Sequence, residues 1–591
     1  MPTPAAPSTQ KGPIPPAAGR PAGSRWAYAF LIDIAVFVAV FAVVFGVYSI
    51  GRSWLGPVKA EAEISQSPKI LPLYAMYSLV RILVAYAISL VFALAYGYAA
   101  AKSRRAEIVL IPLLDILQSI PVLSFLPGVM LAMVALFPRR QLGVELGSII
   151  LIFTGQVWNI AFSFYSSLKT IPRDLREAAI IYRFSRWQRF MELDLPFSTI
   201  GLVWNSMMSV AGGWFFLMAC EMFVLGDKDF RLPGLGSYLQ TAASSGNTHA
   251  MLWGLATMVA VIVVVDQLIW RPVIAWADKF KFEHVESSDV AQNSILKFIR
   301  RESFLIRSYR KLLHPLVNWL TMQFATRAKR AAETFASAES RHPRRWLGWM
   351  FAAAGTALLI YGVYRTAGEL RQLDRQDYFT LLRSAGLTFL RVNLALIIGA
   401  LWTIPVGVAI GFSPRFARLM QPLVQLAASI PATALFPVLL LVLIRLHGGV
   451  EIAAMALMLL GTQWYILFNV IAGAMAIPTD LKEAAEVFRF SRLDRWRHLI
   501  LPGIFPYLVT GMVTASGGAW NASIVAEYFH FQGKVVEAPG LGSVISGASD
   551  AGHFHLLLAA TLIMATIVVL INRLVWRSMY RLASTRFKLE S

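Results

Sequence analysis

Cysteine is almost absent from this 591-residue sequence: Cys220 stands alone, so neither an internal disulfide nor a multi-cysteine metal site can form within the chain. Charge is scarce too. Only 15% of residues are Asp, Glu, Lys or Arg, against roughly 25% in soluble domains, and the acidic sign is the rarer, 33 residues against 54 basic ones. No Gly-x-x-x-x-Gly-Lys-Ser/Thr segment occurs, so the chain lacks the backbone cradle that holds a nucleoside triphosphate. The histidines, among them His249, His553 and His555, fall at no ligand-like spacing, and no nucleophile–base pairing stands out. The sequence therefore offers no metal site, no cofactor site and no catalytic constellation.

What it has in abundance is apolar residues, 57% of the chain. They come in blocks of about 20 or more, the length a helix needs to cross a hydrocarbon core; a membrane barrel would show alternating segments of about 10. A net charge of +21 could suggest nucleic acid, but the basic residues cluster between apolar blocks, where the positive-inside rule accounts for them. The reading is an all-α polytopic membrane protein with the lipid bilayer, and no nucleic acid, as partner.

The chain is also a tandem repeat. Residues 171–196 read IPRDLREAAIIYRFSRWQRFMELDLP and residues 477–502 read IPTDLKEAAEVFRFSRLDRWRHLILP, an offset of 306 (477 − 171). The same offset aligns Pro233–Ser237 with Pro539–Ser543, Glu221 with Glu527 and Trp158 with Trp464. Upstream, a slightly larger offset aligns Ser119-Ile120-Pro121 with Ser429-Ile430-Pro431 and Arg81 with Arg391.

Apolar blocks fall near 27–48, 73–101, 108–137, 143–168, 196–225 and 251–272, and again near 346–366, 379–412, 416–444, 450–475, 503–528 and 555–577. About six spans per half, an even number, make the two repeats parallel. The boundaries expected are a disordered tail over 1–25, a first unit over 26–280, an amphipathic linker over 281–344 and a second unit over 345–591. Counting Lys and Arg near the span ends places the tail, the linker, both repeated loops and both termini in the cytoplasm, with Arg139, Arg140 and Arg445 on the other side. Within the linker, Ile295, Ile299, Ile306, Tyr309 and Leu313 recur at helical spacing beside Lys297, Arg300, Arg301 and Arg307, the pattern of a basic helix on a membrane surface or on another protein.

The repeated loop carries more order than a charged connector needs. A helix is expected to start after Pro172, with a second short turn through Trp187 and Phe190 before Pro196 opens the next span. Glu-Ala-Ala, then Arg-Phe-Ser-Arg, then Leu-Pro recur in both copies. Glu177-Ala178-Ala179 with Leu195-Pro196, and Glu483-Ala484-Ala485 with Leu501-Pro502, resemble the Glu-Ala-Ala loop of permeases in binding-protein-dependent ABC importers. That resemblance implies that both loops form coupling helices, that Glu177 and Glu483 meet two separate ATP-binding subunits carrying ATP and Mg, and that a periplasmic or lipid-anchored binding protein delivers a small solute. The family usually has Gly where this chain has Arg183 and Arg489, which leaves the angle between the coupling helices open. Ser119-Ile120-Pro121 through Pro127, its second copy, and the paired Glu…Gly-Leu-Gly segments resemble the nitrate, sulfonate, taurine and bicarbonate branch, which implies a small anion and an inner (plasma) membrane location.

Charged side chains inside spans cost about 2.5–3.5 kcal/mol each on insertion scales, so they are paired or face a pathway. Arg81, Arg391, Glu221 and Glu527 are the matched candidates, with Gln156 and Gln463 as further pathway residues. Arg–Glu pairing near the outer surface is the plainer account; raising the potential for an oxyanion is the sharper one. Prolines 112, 121 and 127 and their counterparts are expected to kink the third span. An ion-driven transporter with two six-span halves is the competing class, and it leaves the repeated loop without a purpose.

Overall fold

The computed structural model describes residues 63–277 and 345–586, apart from 139–140, 226–227, 444 and 446–447, together with Phe280. The tail over 1–25, the first span, the linker over 281–344 and the arginines at 139 and 140 lie outside them. The described residues fall in one compact unit, Ser49–Glu286 with Ser337–Ser591.

The first repeat runs through α1 (Leu71–Lys102), α2 (Arg104–Ser119), α3 (Leu126–Leu136), α4 (Gln141–Thr170), α5 (Arg173–Ile181), α6 (Arg186–Arg189), α7 (Leu195–Glu221), the strands β1 (Val224–Leu225) and β2 (Lys228–Asp229), α8 (Leu235–Ser244), α9 (Thr248–Val265) and α10 (Arg271–Ala277). The second opens with α11 (Arg345–Leu370) and continues as α12 (Arg375–Phe412), α13 (Pro414–Ser429), α14 (Ala432–Leu443), α15 (Gly449–Ala476), α16 (Thr479–Val487), α17 (Arg492–Asp494), α18 (Leu501–Ala526), β3 (Tyr528–Phe531), β4 (Lys534–Glu537), α19 (Leu541–Asp550), α20 (Phe554–Ile571) and α21 (Arg577–Arg586). Single π-helical turns join α6 to α7, α9 to α10, α17 to α18 and α20 to α21, at matching places in the two repeats.

Eight of these helices, four in each repeat, are long and apolar enough to cross a membrane. The expected third span is not a single kinked helix. In the second repeat it is two helices bent by 82°, and in the first it divides into α2 and α3. The cause is local: Ile120 and Ile430 precede proline and take extended backbone, with ψ of 126° and 118°, the region to which a following proline pushes its neighbour. Pro112 and Pro437 stay inside helices. The fifth expected span of the first half also starts earlier than Pro196, because the helix already runs from Arg186 through the π turn.

Each repeat packs the second of its four membrane-length helices (α4, α15) between the first and the third (α1 with α7, α12 with α18). Phe164, Leu151 and Ile152 of α4 are fully buried there. Two ion pairs gather one end of the first repeat: Lys102 Nζ lies 2.8 Å from Asp194 Oδ2, and Lys169 Nζ lies 2.7 Å from Glu107 Oε2. At the opposite end the β3–β4 hairpin reaches the first repeat, where Gln532 N–H donates to Ala243 O at 3.0 Å and Gln240 Nε2 donates to His530 O at 3.3 Å. Gln532 and Gly533, both at positive φ (50° and 72°), form the tight turn that the twist of a two-residue hairpin requires. The segments that follow α7 and α18 therefore meet at the same end, as parallel repeats demand.

Candidate functional site

The repeated loop folds into a short helix, a left-handed turn and a second helix. Pro172 fits at the helix entry because its missing N–H is not needed there. The exit is a Schellman turn: Phe184 N–H donates to Ala179 O and Arg183 N–H to Ile180 O, each at 2.9 Å. Phe490 with Ala485 and Arg489 with Glu486 repeat it at 3.0 Å. Arg183 and Arg489 sit at φ of 51° and 52°, so each arginine adopts the left-handed conformation for which glycine is the cheap solution, at a cost of about 1–2 kcal/mol. The departure from glycine thus leaves the turn in place.

The Arg-Phe-Ser-Arg order now has a physical account. Arg takes the left-handed position, Phe closes the turn, and Ser caps the next helix: Gln188 N–H donates to Ser185 Oγ at 3.2 Å, and Asp494 N–H to Ser491 Oγ at 3.2 Å. Ser185 also donates its N–H to Gln188 Oε1 at 2.9 Å, completing a capping box that the sequence reading passed over. Ala179 and Ala485 are buried, Ala178 and Ala484 half-buried, and Glu177 and Glu483 exposed with no ion-pair partner among the described residues. Around these glutamates Ile181, Tyr182, Val487 and Phe488 are each about three-quarters exposed (77, 75, 79 and 74%). Large apolar side chains so placed mark a surface that meets another protein or the membrane.

The loops are anchored differently. Arg176 Nη2 donates to the carbonyls of Leu168 and Lys169, whereas its counterpart Lys482 lies over the Phe412 ring, 4.8 Å from the centroid. Burial against that ring pushes the Lys482 ammonium below the usual lysine range.

At the other end of the repeats, the matched intramembrane charges meet one another. Arg81 donates to Glu145 through Nε and Nη2 (2.6 and 2.8 Å), and through Nη1 to Glu221 Oε1 and Pro233 O (both 2.8 Å). Ser78 Oγ donates to Glu221 at 2.6 Å, and Gly236 N–H to its other oxygen at 2.7 Å. In the second repeat Arg391 pairs with Glu527 and donates to Pro539 O at 3.3 Å, while Thr388 and Gly542 take the places of Ser78 and Gly236. A Cβ on Gly234 or Gly540 would run into the glutamate carboxylate, which explains the paired Gly-Leu-Gly segments. One difference stands out: Glu451, which the repeat offset aligns with Glu145, is exposed and makes no pair with Arg391 among the described residues.

Gln463 accepts from Trp402 Nε1 at 3.2 Å. Gln156 lies fully buried against Gly213, its amide atoms without a hydrogen-bond partner among the described residues. Neither amide, nor any of the four matched charged residues, lines the cavity of about 100 Å3 between α7 of the first repeat and α13, α14, α15 and α18 of the second. That cavity is bordered by Phe215, Phe216, Trp464, Tyr465, Phe468 and Asn521, together with the backbone break at Ile430-Pro431. The sequence signal that could have found it is a mismatch between copies: Phe215-Phe216 aligns with Asn521-Ala522. Among the described residues no group of three His, Cys, Asp or Glu side chains could hold a metal.

A tandem-repeat helical membrane protein with an exposed helix–turn–helix loop in each half is the class that these elements define. Comparison of the sequence with known families matches it twice, over residues 92–269 and 403–588, to the family described as binding-protein-dependent transport system inner membrane component. The chain belongs to that family and carries two copies of its domain. It is 28% identical over 185 residues to the nitrate import permease protein NrtB of Leptolyngbya laminosa, covering 31% of this chain and 63% of the relative. It is 26% identical to the taurine transport system permease protein TauC of Escherichia coli K12 (33% of this chain, 66% of the relative) and 27% identical to the bicarbonate transport system permease protein CmpB of Synechocystis (36% and 71%). The chain spans 54 to 66% of the length of NrtB from two sources and of TauC.

Proposed function

We propose that this chain is the membrane-spanning permease of an ATP-driven importer and supplies both halves of the translocation pathway itself. The observation that carries the reading is the loop pair: two Schellman-turned hairpins, each presenting an unpaired glutamate ringed by exposed apolar side chains. A retention loop needs only basic charge; it has no use for Ile181, Tyr182, Val487 and Phe488 in water. Two ATP-binding subunits, holding ATP and Mg, would seat these hairpins and drive alternating access by drawing them together. The positive-inside rule puts the hairpins in the cytoplasm of a plasma (inner) membrane protein, and a substrate-binding protein would meet the opposite end, where the β3–β4 hairpin lies. The relatives' names concern nitrate, taurine and bicarbonate, which supports a small solute for this chain.

Copurification tests it. The full chain in detergent should retain an ATP-binding subunit, and Glu177→Lys with Glu483→Lys should abolish solute-stimulated ATP hydrolysis by the assembled complex. Transport by the chain alone in ATP-free vesicles carrying an ion gradient would overturn the reading in favour of a secondary transporter.

A further inference from the structure

The cavity between the repeats is a product of their divergence. In the first repeat the Phe216 ring lies on Gly155 and fills the space over it, so closely that a Cβ there would strike the ring. In the second repeat the same positions are Ala522 and Gly461, and a Cβ on Gly461 would meet only Ala432, at 3.7 Å. Removing a phenyl ring from one of two matched places leaves a space of ring size on one side only. At about 100 Å3, against the 10–15 Å3 that one water needs, the cavity holds on the order of seven waters. A three-oxygen anion would rattle in it.

Its walls tell the chemistry. Five aromatic rings border it, with Phe215 and Phe216 edge-to-face at 5.4 Å between centroids. No charged residue lines it. The cations that could have met an anion, Arg81 and Arg391, are spent on Glu145, Glu221 and Glu527. An anion would therefore leave water for aromatic walls, two neutral donors and no cation, and a buried charge without a paired charge is costly. Two polar groups remain. The Tyr465 hydroxyl borders the cavity with no hydrogen-bond partner among the described residues, and Asn521 donates one amide N–H to Gly517 O at 3.0 Å, leaving the other to spare.

Resting on the permease reading, we infer that the pathway accepts a small uncharged ring compound bearing one hydrogen-bonding group, and not an inorganic anion. The ring would stack among Phe215, Phe216 and Trp464, and its polar group would accept from Tyr465.

The repeat supplies its own test. Ala522→Phe places over Gly461 the residue that the first repeat already holds over Gly155. The full chain, in nanodiscs with its ATP-binding subunits, is dialysed to equilibrium against radiolabelled nicotinamide, a neutral ring amide, and separately against nitrate and bicarbonate. Nicotinamide should bind saturably; Ala522→Phe should weaken it at least tenfold and Tyr465→Phe, which changes no volume, about fivefold. Nitrate and bicarbonate should show no saturable binding. Saturable nitrate or bicarbonate binding that Ala522→Phe removes, equal nicotinamide binding by wild type and Ala522→Phe, or no nicotinamide binding by wild type, would each overturn the inference. Retention of the ATP-binding subunits by the same nanodiscs reports separately on the permease reading.

Discussion

Arg81 offers the sharpest test of how the end of the first repeat opposite the repeated loop is held. Its guanidinium, 1% exposed, is the shared cation of Glu145 and Glu221, which are 2% and 0% exposed. Arg81→Met keeps much of the side-chain volume but leaves two buried carboxylates without a cation. Breaking a buried ion pair by removing one partner costs about 3–5 kcal/mol, because the surviving charge stays desolvated. The loss here should reach the upper part of that range. Arg391→Met strands one carboxylate, Glu527, and should cost less. Glu145→Gln tests the same logic from the other side: it removes the surplus carboxylate, keeps an acceptor for Arg81, and reproduces the one-to-one pairing of the second repeat. It should cost under about 1 kcal/mol. Apparent melting of the purified chain in detergent, followed by loss of the monodisperse chromatographic peak, ranks the three. Arg81→Met should fall by on the order of 10 °C, Arg391→Met by less, and Glu145→Gln by little. A melting point for Arg81→Met within about 2 °C of wild type would mean that these carboxylates do not depend on the arginine, and the reasoning would fail.

Gly234→Ala and Gly540→Ala each drive a methyl into a glutamate carboxylate and should lower the same melting point, by about 1–3 kcal/mol of overpacking. Arg183→Gly and Arg489→Gly relieve a left-handed arginine, so chymotryptic cleavage at the exposed Tyr182 and Phe488 should slow as the turn gains about 1 kcal/mol; unchanged cleavage would show that the turn is held from elsewhere. Lys102→Met should destabilise the loop end of the first repeat by uncovering Asp194, whereas Lys102→Phe with Asp194→Ile, which copies Phe412 and Ile500 of the second repeat, should melt within about 1 kcal/mol of wild type. Equal melting of the single and double variants would refute the compensation.

Much of the architecture was legible because it repeats. The offset of 306 carries Arg173–Ile181 onto Thr479–Val487, Leu235–Ser244 onto Leu541–Asp550 and Thr248–Val265 onto Phe554–Ile571. Helical spans announce themselves by length and apolarity alone. The proline breaks were visible too, though composition cannot say whether a proline kinks a helix or divides it; that depends on whether its neighbour goes extended, as Ile120 and Ile430 do and the residues around Pro112 do not. Side-chain partners were less accessible. Arg81 and Glu221 announced themselves as charges in apolar spans, but Glu145 did not, because near the start of an apolar block it passes for an interfacial residue. The cavity was hidden for another reason: its signal is a small residue where the other copy has a large one, and a reading that looks for likeness between repeats passes over it.

That kind of difference is what a fused chain allows. In a permease built from two identical subunits, every substitution appears on both sides of the pathway, so a Phe at one position fills both matched spaces or neither. Here Phe216 stands against Ala522, Lys102 against Phe412 and Asp194 against Ile500, while Glu145 and Glu451 are the same residue in different surroundings. The first repeat carries more paired charge: a three-membered cluster at one end and the Lys102–Asp194 pair at the loop end. The second has apolar residues in place of that pair and leaves ring-sized space in the cavity between the repeats. Apolar contacts are non-directional, whereas an ion pair ties its partners to one geometry. At the loop end, therefore, only the first repeat holds its helices by an ion pair with a buried carboxylate; the second, which borders most of the cavity, has apolar residues at the matched places and keeps its buried pair, Arg391 with Glu527, at the opposite end.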